Sequence, residues 1–315
     1  MLVRLTDAWQ DILARRAANS ETGAYPAPVR QLLGEMAAAG VLMQGNIKFN
    51  GALVLQIFGD GPVKMAVVEA QPDLAFRTTA KVVGDVPASD TGRLPLDVMV
   101  NVHGRGRCAI TLDPKDRQPG QQPYQGVVPL NDHDGEALPD LSAVLEQYMR
   151  QSEQLDAKLI LAANDEIAAG LLIQRMPVEG EANLAGQDRA AASEMDVAEQ
   201  YNRIAHLAAT LTAKELLTLD AATILHRLFW EETLRYFEPA TGSTGPQFAC
   251  SCSRERVSSM LRSLGKEEID SIVAEQGQVD IGCDFCGEHY QFDPIDAAEL
   301  FRDGADVPPG STRLQ

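Results

Sequence analysis

Cys250-Ser251-Cys252 and Cys283-Asp284-Phe285-Cys286 are two tight cysteine pairs near the end of this 315-residue sequence. The only other cysteine, Cys108, lies far from both pairs. A pair of this kind presents two sulfurs from one short turn, and two such turns can close a tetrahedron around a metal ion. The spacing therefore predicts one zinc site with four ligands: Cys250, Cys252, Cys283 and Cys286.

The two pairs also suit disulfide chemistry, because each cysteine has a partner beside it in the chain. One site could hold a metal when reduced and form two local disulfides when oxidised. Two alternatives stay open at this point: Cys283 and Cys286 could act without metal as a thioredoxin-type pair, or the zinc could be purely structural. A secreted disulfide framework fits poorly, because the first residues lack the apolar core of a signal peptide.

Composition restricts the partners. The formal net charge is −18 and the isoelectric point is near 4.6, which disfavours nucleic acid because phosphate binding needs a basic face. The same charge disfavours anionic membranes, and no apolar run reaches the length of about 18 residues that a transmembrane helix needs. We therefore expect a cytoplasmic protein with neither nucleic acid nor membrane as a partner.

Residues 1–177 predict an α+β domain with a mainly antiparallel sheet and helices. Turn residues such as Asn50-Gly51 and Gly59-Asp60-Gly61-Pro62 separate strand-like segments. The predicted hairpins join 52–58 to 63–68, 108–112 to 126–130, and 158–161 to 170–174. Apolar residues at helical spacing predict helices over 27–44 and around 140–152.

Residues 178–245 are predicted as an acidic and then helical linker. Its first part, 178–203, has six acidic and two basic residues and few large apolar ones, which is typical of a solvated segment. Two helices follow, with Thr212 and Glu215 at capping-box spacing and Asp220 as a second N-cap. Short helices are marginal alone, so their apolar side chains must be covered: Leu216, Leu217, Ile224, Leu225, Leu228 and Phe229.

Residues 246–300 are predicted as a small zinc-binding domain, and 301–315 as a tail. Helical stripes of apolar residues end at Gly265 and Gly277, and strand-like segments around Val279 and Tyr290 place the second cysteine pair at the tip of a hairpin. The domain has few bulky apolar residues for its length. We therefore expect that it does not fold without a metal.

These motifs together resemble a known family, the redox-regulated chaperones called the heat shock protein of thirty-three kilodaltons. The most specific match is the cysteine motif with its flank: Cys250-Ser251-Cys252-Ser253-Arg254-Glu255-Arg256, Leu264-Gly265-Lys266-Glu267-Glu268 and Cys283-Asp284-Phe285-Cys286. Further matches extend over nearly the whole chain: Tyr25-Pro26, Lys48-Phe49-Asn50-Gly51, Gly59-Asp60-Gly61-Pro62, Tyr124-Gln125-Gly126-Val127-Val128, Gln151-Ser152-Glu153-Gln154-Leu155 and Arg227-Leu228-Phe229. Two features depart from the family: it has a strand-forming segment before the point where this sequence starts, and Cys108 is outside its metal set.

The resemblance implies a zinc-bound, inactive reduced state. Oxidants would form one disulfide in each pair, Cys250–Cys252 and Cys283–Cys286, expel zinc and unfold the C-terminal domain with the linker. The opened protein would form a homodimer and hold unfolded or aggregation-prone client proteins without ATP. Such a protein is a chaperone and not an enzyme.

Other functions fit the residues less well. A catalytic zinc ion needs an open coordination position, which four thiolates would close. No GxxxxGK[ST] loop for ATP is present, and His103-Gly104-Arg105-Gly106-Arg107 is interpreted as a turn. His289 beside the second pair is interpreted as a surface or strand residue. Cys108 alternates with Ile110 and Leu112, which predicts a buried core thiol.

Overall fold

A computed structural model describes residues 1–19, 22–89, 92–117, 120–175 and 187–302, and for 187–195 it describes the backbone alone. The chain divides into two compact units, Met1–Ala249 and Cys250–Gln315. The first unit contains β1 (Leu2–Leu5), α1 (Asp7–Ala18), α2 (Ala27–Asn46), β2 (Gly51–Phe58), β3 (Val63–Ala70), β4 (Ala75–Val82), α3 (Leu96–Met99), β5 (Arg107–Pro114), β6 (Tyr124–Pro129), α4 (Leu141–Ser152), β7 (Ala157–Ala163), β8 (Ala168–Gln174), α5 (Gln187–Ala209), α6 (Ala213–Thr218), α7 (Ala221–Phe229) and β9 (Gln247–Phe248).

A six-stranded sheet in the order β6-β5-β2-β3-β4-β9 forms the larger part of this unit. Its strands pair antiparallel, except that the two-residue β9 runs parallel to β4. The edge of β4 is closed by side-chain and strand contacts: the Tyr25 hydroxyl accepts from the Ala80 N–H at 2.9 Å, and Phe248 pairs with Phe76. Satisfying the outer backbone groups in this way protects an edge strand from pairing with another chain.

A second sheet of three strands has the order β1-β8-β7 and is antiparallel throughout. Helix α2 packs against strands of both sheets and is buried on nearly all sides, which explains its high content of apolar and small residues. At Gly40 a Cβ atom would lie 2.8 Å from Val68 Cγ1, so glycine is needed for the close approach of α2 to β3.

The helices α5, α6 and α7 form a second apolar cluster with the three-stranded sheet. Ala162, Ala169 and Leu171 on the sheet contribute to this cluster. The helices and the connection between α5 and α6 contribute a set of buried side chains: Ala208, Leu211, Leu216, Ile224, Leu228 and Phe229. We call this cluster the linker-helix interface. The three-stranded sheet therefore covers the apolar faces of the linker helices, for which the sequence alone indicated no partner.

The second unit contains α8 (Arg254–Leu264), α9 (Lys266–Gln276), β10 (Val279–Gly282), β11 (His289–Phe292) and α10 (Pro294–Glu299). Strands β10 and β11 form an antiparallel hairpin. The described core consists of six buried apolar side chains: Leu261, Ile269, Val279, Phe292, Ala297 and Leu300. Such a small core leaves little hydrophobic stabilisation for an independent unit.

The predicted fold class is confirmed, with some differences in detail. All three predicted hairpins are present, but the strands form two sheets in the first unit instead of one. The acidic stretch predicted as solvated becomes helix α5 from Gln187 onward, and its earlier part lies outside the described residues, as does the tail from 303. Among the described helices, none combines the length and apolar character needed to cross a membrane.

Candidate metal centre

The four cysteines of the second unit come together at the start of α8 and the tip of the β10–β11 hairpin. Cys250 and Cys252 precede α8, where the Ser253 side chain accepts from the Arg256 N–H as an N-cap. The Arg256 guanidinium also donates to the Ser251 carbonyl at 3.0 Å and to Ser251 Oγ at 2.7 Å. These bonds fix the conformation of the first pair.

The second pair lies in a tight turn between the two strands. The Cys283 N–H donates to the Glu288 carbonyl and the Gly287 N–H donates to the Cys283 carbonyl, both at 2.8 Å. Gly287 has a φ of 75°, a conformation that glycine adopts without strain. The glycine directly after the pair was a sequence signal for this turn, and the sequence analysis did not use it.

The four Sγ atoms all lie within 4.8 Å of one another. Two of the separations cross between the pairs: 3.6 Å from Cys250 to Cys283 and 3.3 Å from Cys252 to Cys286. Four sulfurs at a Zn–S distance of about 2.3 Å from one centre are separated by about 3.8 Å in a tetrahedron. The cluster can therefore hold a metal ion, with small adjustments of the side chains.

The surroundings of the cluster disfavour free thiolates at Cys283 and Cys286. Burial raises the pKa of the Cys283 thiol, although backbone N–H groups of Cys286 and Phe285 donate to its sulfur and oppose the shift. Burial also raises the pKa of Cys286, and the neighbouring thiols of Cys252, Cys283 and Cys250 add to this effect. Without a cation these sulfurs stay protonated at neutral pH, whereas a divalent metal would stabilise the thiolates.

Two neighbouring side chains differ in their relation to the cluster. The Tyr290 hydroxyl donates to Cys252 Sγ at 3.2 Å. The sequence did not predict this contact, because it depends on the pairing of β11 with β10. His289 instead contacts Asp280, with 2.9 Å between Nδ1 and Oδ1. Its interpretation as a strand residue is confirmed, and it is not among the described groups that could hold the metal together with the cysteines.

Cys108 lies in the core of the first unit. It is fully buried in β5, and burial raises the pKa of its thiol to about 12. The prediction of a buried core thiol is confirmed. A thiol with so high a pKa forms little thiolate, which is the reactive species.

The glycine-rich segment before β5 is a turn, as predicted. The backbone N–H groups of His103 and Arg105 donate to Asp60 Oδ2 at 3.1 Å and 2.9 Å. These bonds contribute to a lowered pKa of the Asp60 carboxyl, against the opposing effect of burial. A carboxylate thus takes the position that a nucleotide phosphate would need on these N–H groups.

Comparison with known proteins places these features in one family. A family model described as Hsp33 protein matches residues 1–293. A 33 kDa chaperonin of Chromobacterium violaceum is 45% identical over 300 residues, covering 95% of this chain and 88% of the relative. A 33 kDa chaperonin of Neisseria meningitidis serogroup A is 41% identical over 306 residues, covering 97% of this chain and 87% of the relative.

A solved structure has the same overall architecture. The crystal structure of the 33 kDa chaperonin (heat shock protein 33 homolog) from Thermotoga maritima matches with a TM-score of 0.71. The match covers 95% of this chain and 91% of that chain at 19% sequence identity. At this level of identity the likeness concerns the fold.

Proposed function

Because the chain belongs to the Hsp33 chaperone family, we propose that it is a redox-regulated, ATP-independent holdase. In this proposal the reduced protein is inactive and holds one zinc ion, and oxidation of four cysteines activates it to protect unfolding proteins under oxidative stress. The observation that carries the proposal is the cluster of four sulfurs within 4.8 Å in a unit with a small core.

The proposed ligands are Cys250, Cys252, Cys283 and Cys286. Bound zinc would join the two turns and keep the sulfurs as thiolates. The backbone N–H groups of Phe285 and Cys286 would orient and partly neutralise the Cys283 sulfur, as the Tyr290 hydroxyl would for Cys252. Four sulfur ligands leave no open position, which supports a non-enzymatic role for the site.

Oxidation would convert the four thiolates into two disulfides, Cys250–Cys252 and Cys283–Cys286, and set free the zinc ion that they would hold. For each disulfide, peroxide takes up two electrons from two thiolates and two protons from water and leaves as two molecules of water. The sulfur separations also allow pairing across the turns, because Cys250 lies 3.6 Å from Cys283 and Cys252 lies 3.3 Å from Cys286. The within-pair assignment therefore rests on the family resemblance.

The energies explain why oxidation should open the unit. Zinc contributes roughly 10–16 kcal/mol to the folding of small cysteine modules. A disulfide that closes a loop of three or four residues contributes only about 2 kcal/mol on the chain-entropy formula, before strain. Two such disulfides cannot replace the metal, and the six-residue core adds little. The oxidised unit should therefore unfold.

The linker-helix interface is the proposed client-binding region. Helices α6 and α7 have only six and nine residues, so they depend on packing against the three-stranded sheet. Strand β9 is the last strand of the first unit and is followed by Ala249 and then Cys250. The Ala249 N–H donates to the Phe76 carbonyl at 3.1 Å, so the chain is bound to β4 up to the residue before Cys250. We propose that unfolding of the second unit destabilises this connection and the helices before it, which exposes apolar surface.

The proposal includes further expectations about partners and location. We expect unfolded or aggregation-prone clients and a homodimer in the activated state. Net charge of −18 supports the absence of nucleic acid and anionic membranes as partners. Thiols that are reduced at rest require a reducing compartment, so we propose a cytoplasmic location.

Metal analysis and cysteine substitution test the site. Reduced wild-type protein should contain one zinc per chain, and the Cys283→Ser Cys286→Ser double variant should lose it. On heating, the second unit of the double variant should also unfold at a lower temperature than that of the wild type, while the first unit stays folded. Reduced protein without zinc, or a double variant that retains zinc fully, would contradict the assignment.

A further inference from the structure

A cavity of about 90 Å³ lies in the first unit, separate from the cysteine cluster. It lies among the C-terminal end of α2, strands β2, β5, β7 and β8, and the end of α4. Its apolar lining contains Met43, Leu53, Ile110, Leu112, Met149, Leu159 and Leu172, with Ile47 and Leu155 beside them. An apolar cavity of about 150 Å³ holds the six carbons of benzene, so one of about 90 Å³ holds about three or four carbons at the end of an alkyl chain, with the rest of the chain at the mouth.

The polar lining residues differ from the apolar ones in their exposure. Met43, Leu53 and Ile110 are buried, whereas Asn46 and Glu153 are exposed, and Gln174 is intermediate. The cavity therefore has an apolar interior and a polar mouth. A ligand that fits both parts has an apolar chain and a polar head, with the chain directed inward.

The charge at the mouth selects the head group. Glu153 Oε1 accepts hydrogen bonds from the Tyr148 hydroxyl at 2.6 Å and from the Tyr124 hydroxyl at 3.2 Å. A carboxylate has about four acceptor positions, so Glu153 keeps acceptor capacity after these two bonds. No lysine, arginine or histidine lines the cavity among the described residues. A negative mouth without a cation disfavours carboxylate and phosphate heads and favours an ammonium.

We propose that this cavity is a binding site for a small amphiphile with a short alkyl chain and a cationic amine head. The alkyl chain fills the apolar interior, and the ammonium binds the Glu153 carboxylate at the mouth. A lysine side chain of another protein does not fit this arrangement, because its charge would enter the apolar interior first. The proposed ligand class is therefore a free alkylamine.

Three probes of equal chain length test the site in the full-length reduced protein: pentylamine, 1-pentanol and pentanoate. The signals of methyl-labelled methionines in an NMR titration report on the site, because Met43 and Met149 line the cavity while Met65 and Met99 do not. Pentylamine should shift the signals of Met43 and Met149 saturably, 1-pentanol more weakly, and pentanoate not at all. Shifts spread over all methionines, or equal binding of pentanoate, would overturn the proposal.

Two substitutions distinguish binding of the amine in the cavity from its binding to other carboxylates on the acidic surface of the protein. Glu153→Gln should weaken pentylamine binding about tenfold through loss of a charged contact and leave 1-pentanol binding unchanged. Leu112→Phe should fill the interior and abolish the binding of both. As a control, Asp134→Asn removes an exposed carboxylate elsewhere and should have no effect. If Leu112→Phe and Glu153→Gln both bind pentylamine like the wild type, the amine binds elsewhere and the proposal is wrong.

Discussion

At the scale of single residues, the five cysteines divide by their surroundings. Cys108 lies fully buried in an apolar core, whereas the other four share a half-buried cluster with backbone and hydroxyl donors. Reactivity follows the thiolate fraction and access to solvent. Access to solvent and the capacity to be held as metal-bound thiolates therefore support the proposal that the four clustered cysteines carry the redox chemistry, with a packing role for Cys108.

Replacement of Cys108 by serine should leave redox activation intact. The serine hydroxyl would lie in an apolar core, so we expect a loss of about 1–3 kcal/mol in the stability of the first unit. The measurements are denaturant unfolding and suppression of client aggregation after peroxide treatment. Cys283→Ser is the control and should abolish activation. Loss of protection in Cys108→Ser at a temperature where it is folded would show that the switch lies elsewhere.

Tyr290 should contribute to metal affinity through its hydrogen bond to Cys252 Sγ. Groups that orient metal ligands typically change metal affinity by about 10–100-fold when removed. We expect Tyr290→Phe to bind zinc about tenfold more weakly in competition with a chelator. Tyr236→Phe, an exposed tyrosine of the first unit, is the matched control. Equal zinc affinities of the two variants would show that the hydroxyl has no such role.

At the scale of elements, Arg4 on β1 is the clearest link between sheet and linker helices. Its guanidinium donates to the Leu216 and Leu219 carbonyls at 2.5 Å and to the Leu217 carbonyl at 3.1 Å. Carbonyls at a helix C-terminus lack partners within the helix and carry partial negative charge. One side chain thus satisfies the end of α6 and fastens it to the sheet.

Arg4→Met should loosen α6 in the reduced, zinc-loaded protein. Hydrogen bonds from a charged donor are worth about 1.5–3 kcal/mol, so the free energy of local opening should fall by a similar amount. Hydrogen exchange of the α6 amides measures this change, together with binding of a hydrophobic dye. Arg105→Met, an exposed arginine in the turn before β5, is the control. Unchanged exchange in α6 would mean that packing alone holds the helix.

Charged residues in the linker-helix interface should produce holdase activity without oxidation. Phe229 is buried and Leu225 is half-buried in this interface, so Leu225→Glu and Phe229→Glu should weaken the docking of α7. We expect stronger dye binding and partial suppression of client aggregation while zinc remains bound. Ala222→Glu is the control, because it places the same charge on the exposed side of α7 and should behave like the wild type. If Leu225→Glu and Phe229→Glu also behave like the reduced wild type, the interface does not control client binding.

The elements differ in how well the sequence predicted them. The hairpins of β2–β3, β5–β6 and β7–β8 were predicted because alternation and turn residues are local signals. Strands β1, β4 and β9 and helix α1 were not predicted. For the four-residue β1 and the two-residue β9 the reason is that their pairing is set by tertiary contacts. The same applies to Tyr290, whose contact with Cys252 depends on the register of β11. The division into two sheets that both contact α2 is a tertiary feature, which no local pattern reveals.

At the scale of the whole molecule, the two units differ in how they are stabilised. The first unit has an extended apolar core around α2, whereas the second has six buried apolar side chains and a cysteine cluster. The family predicted from the cysteine motif is confirmed over residues 1–293. An extended core joined to a unit with few buried apolar side chains of its own is what the proposed oxidation-controlled chaperone requires.

Zinc release measured together with chaperone activity tests this account most directly. Reduced, zinc-loaded protein is titrated with peroxide, released zinc is quantified with a colorimetric chelator, and each sample is assayed for suppression of client aggregation. We predict that one zinc per chain is released in step with the appearance of protection, and that reduction with added zinc reverses both. Zinc release without protection would indicate a purely structural metal module, and full protection with zinc still bound would contradict the proposed switch.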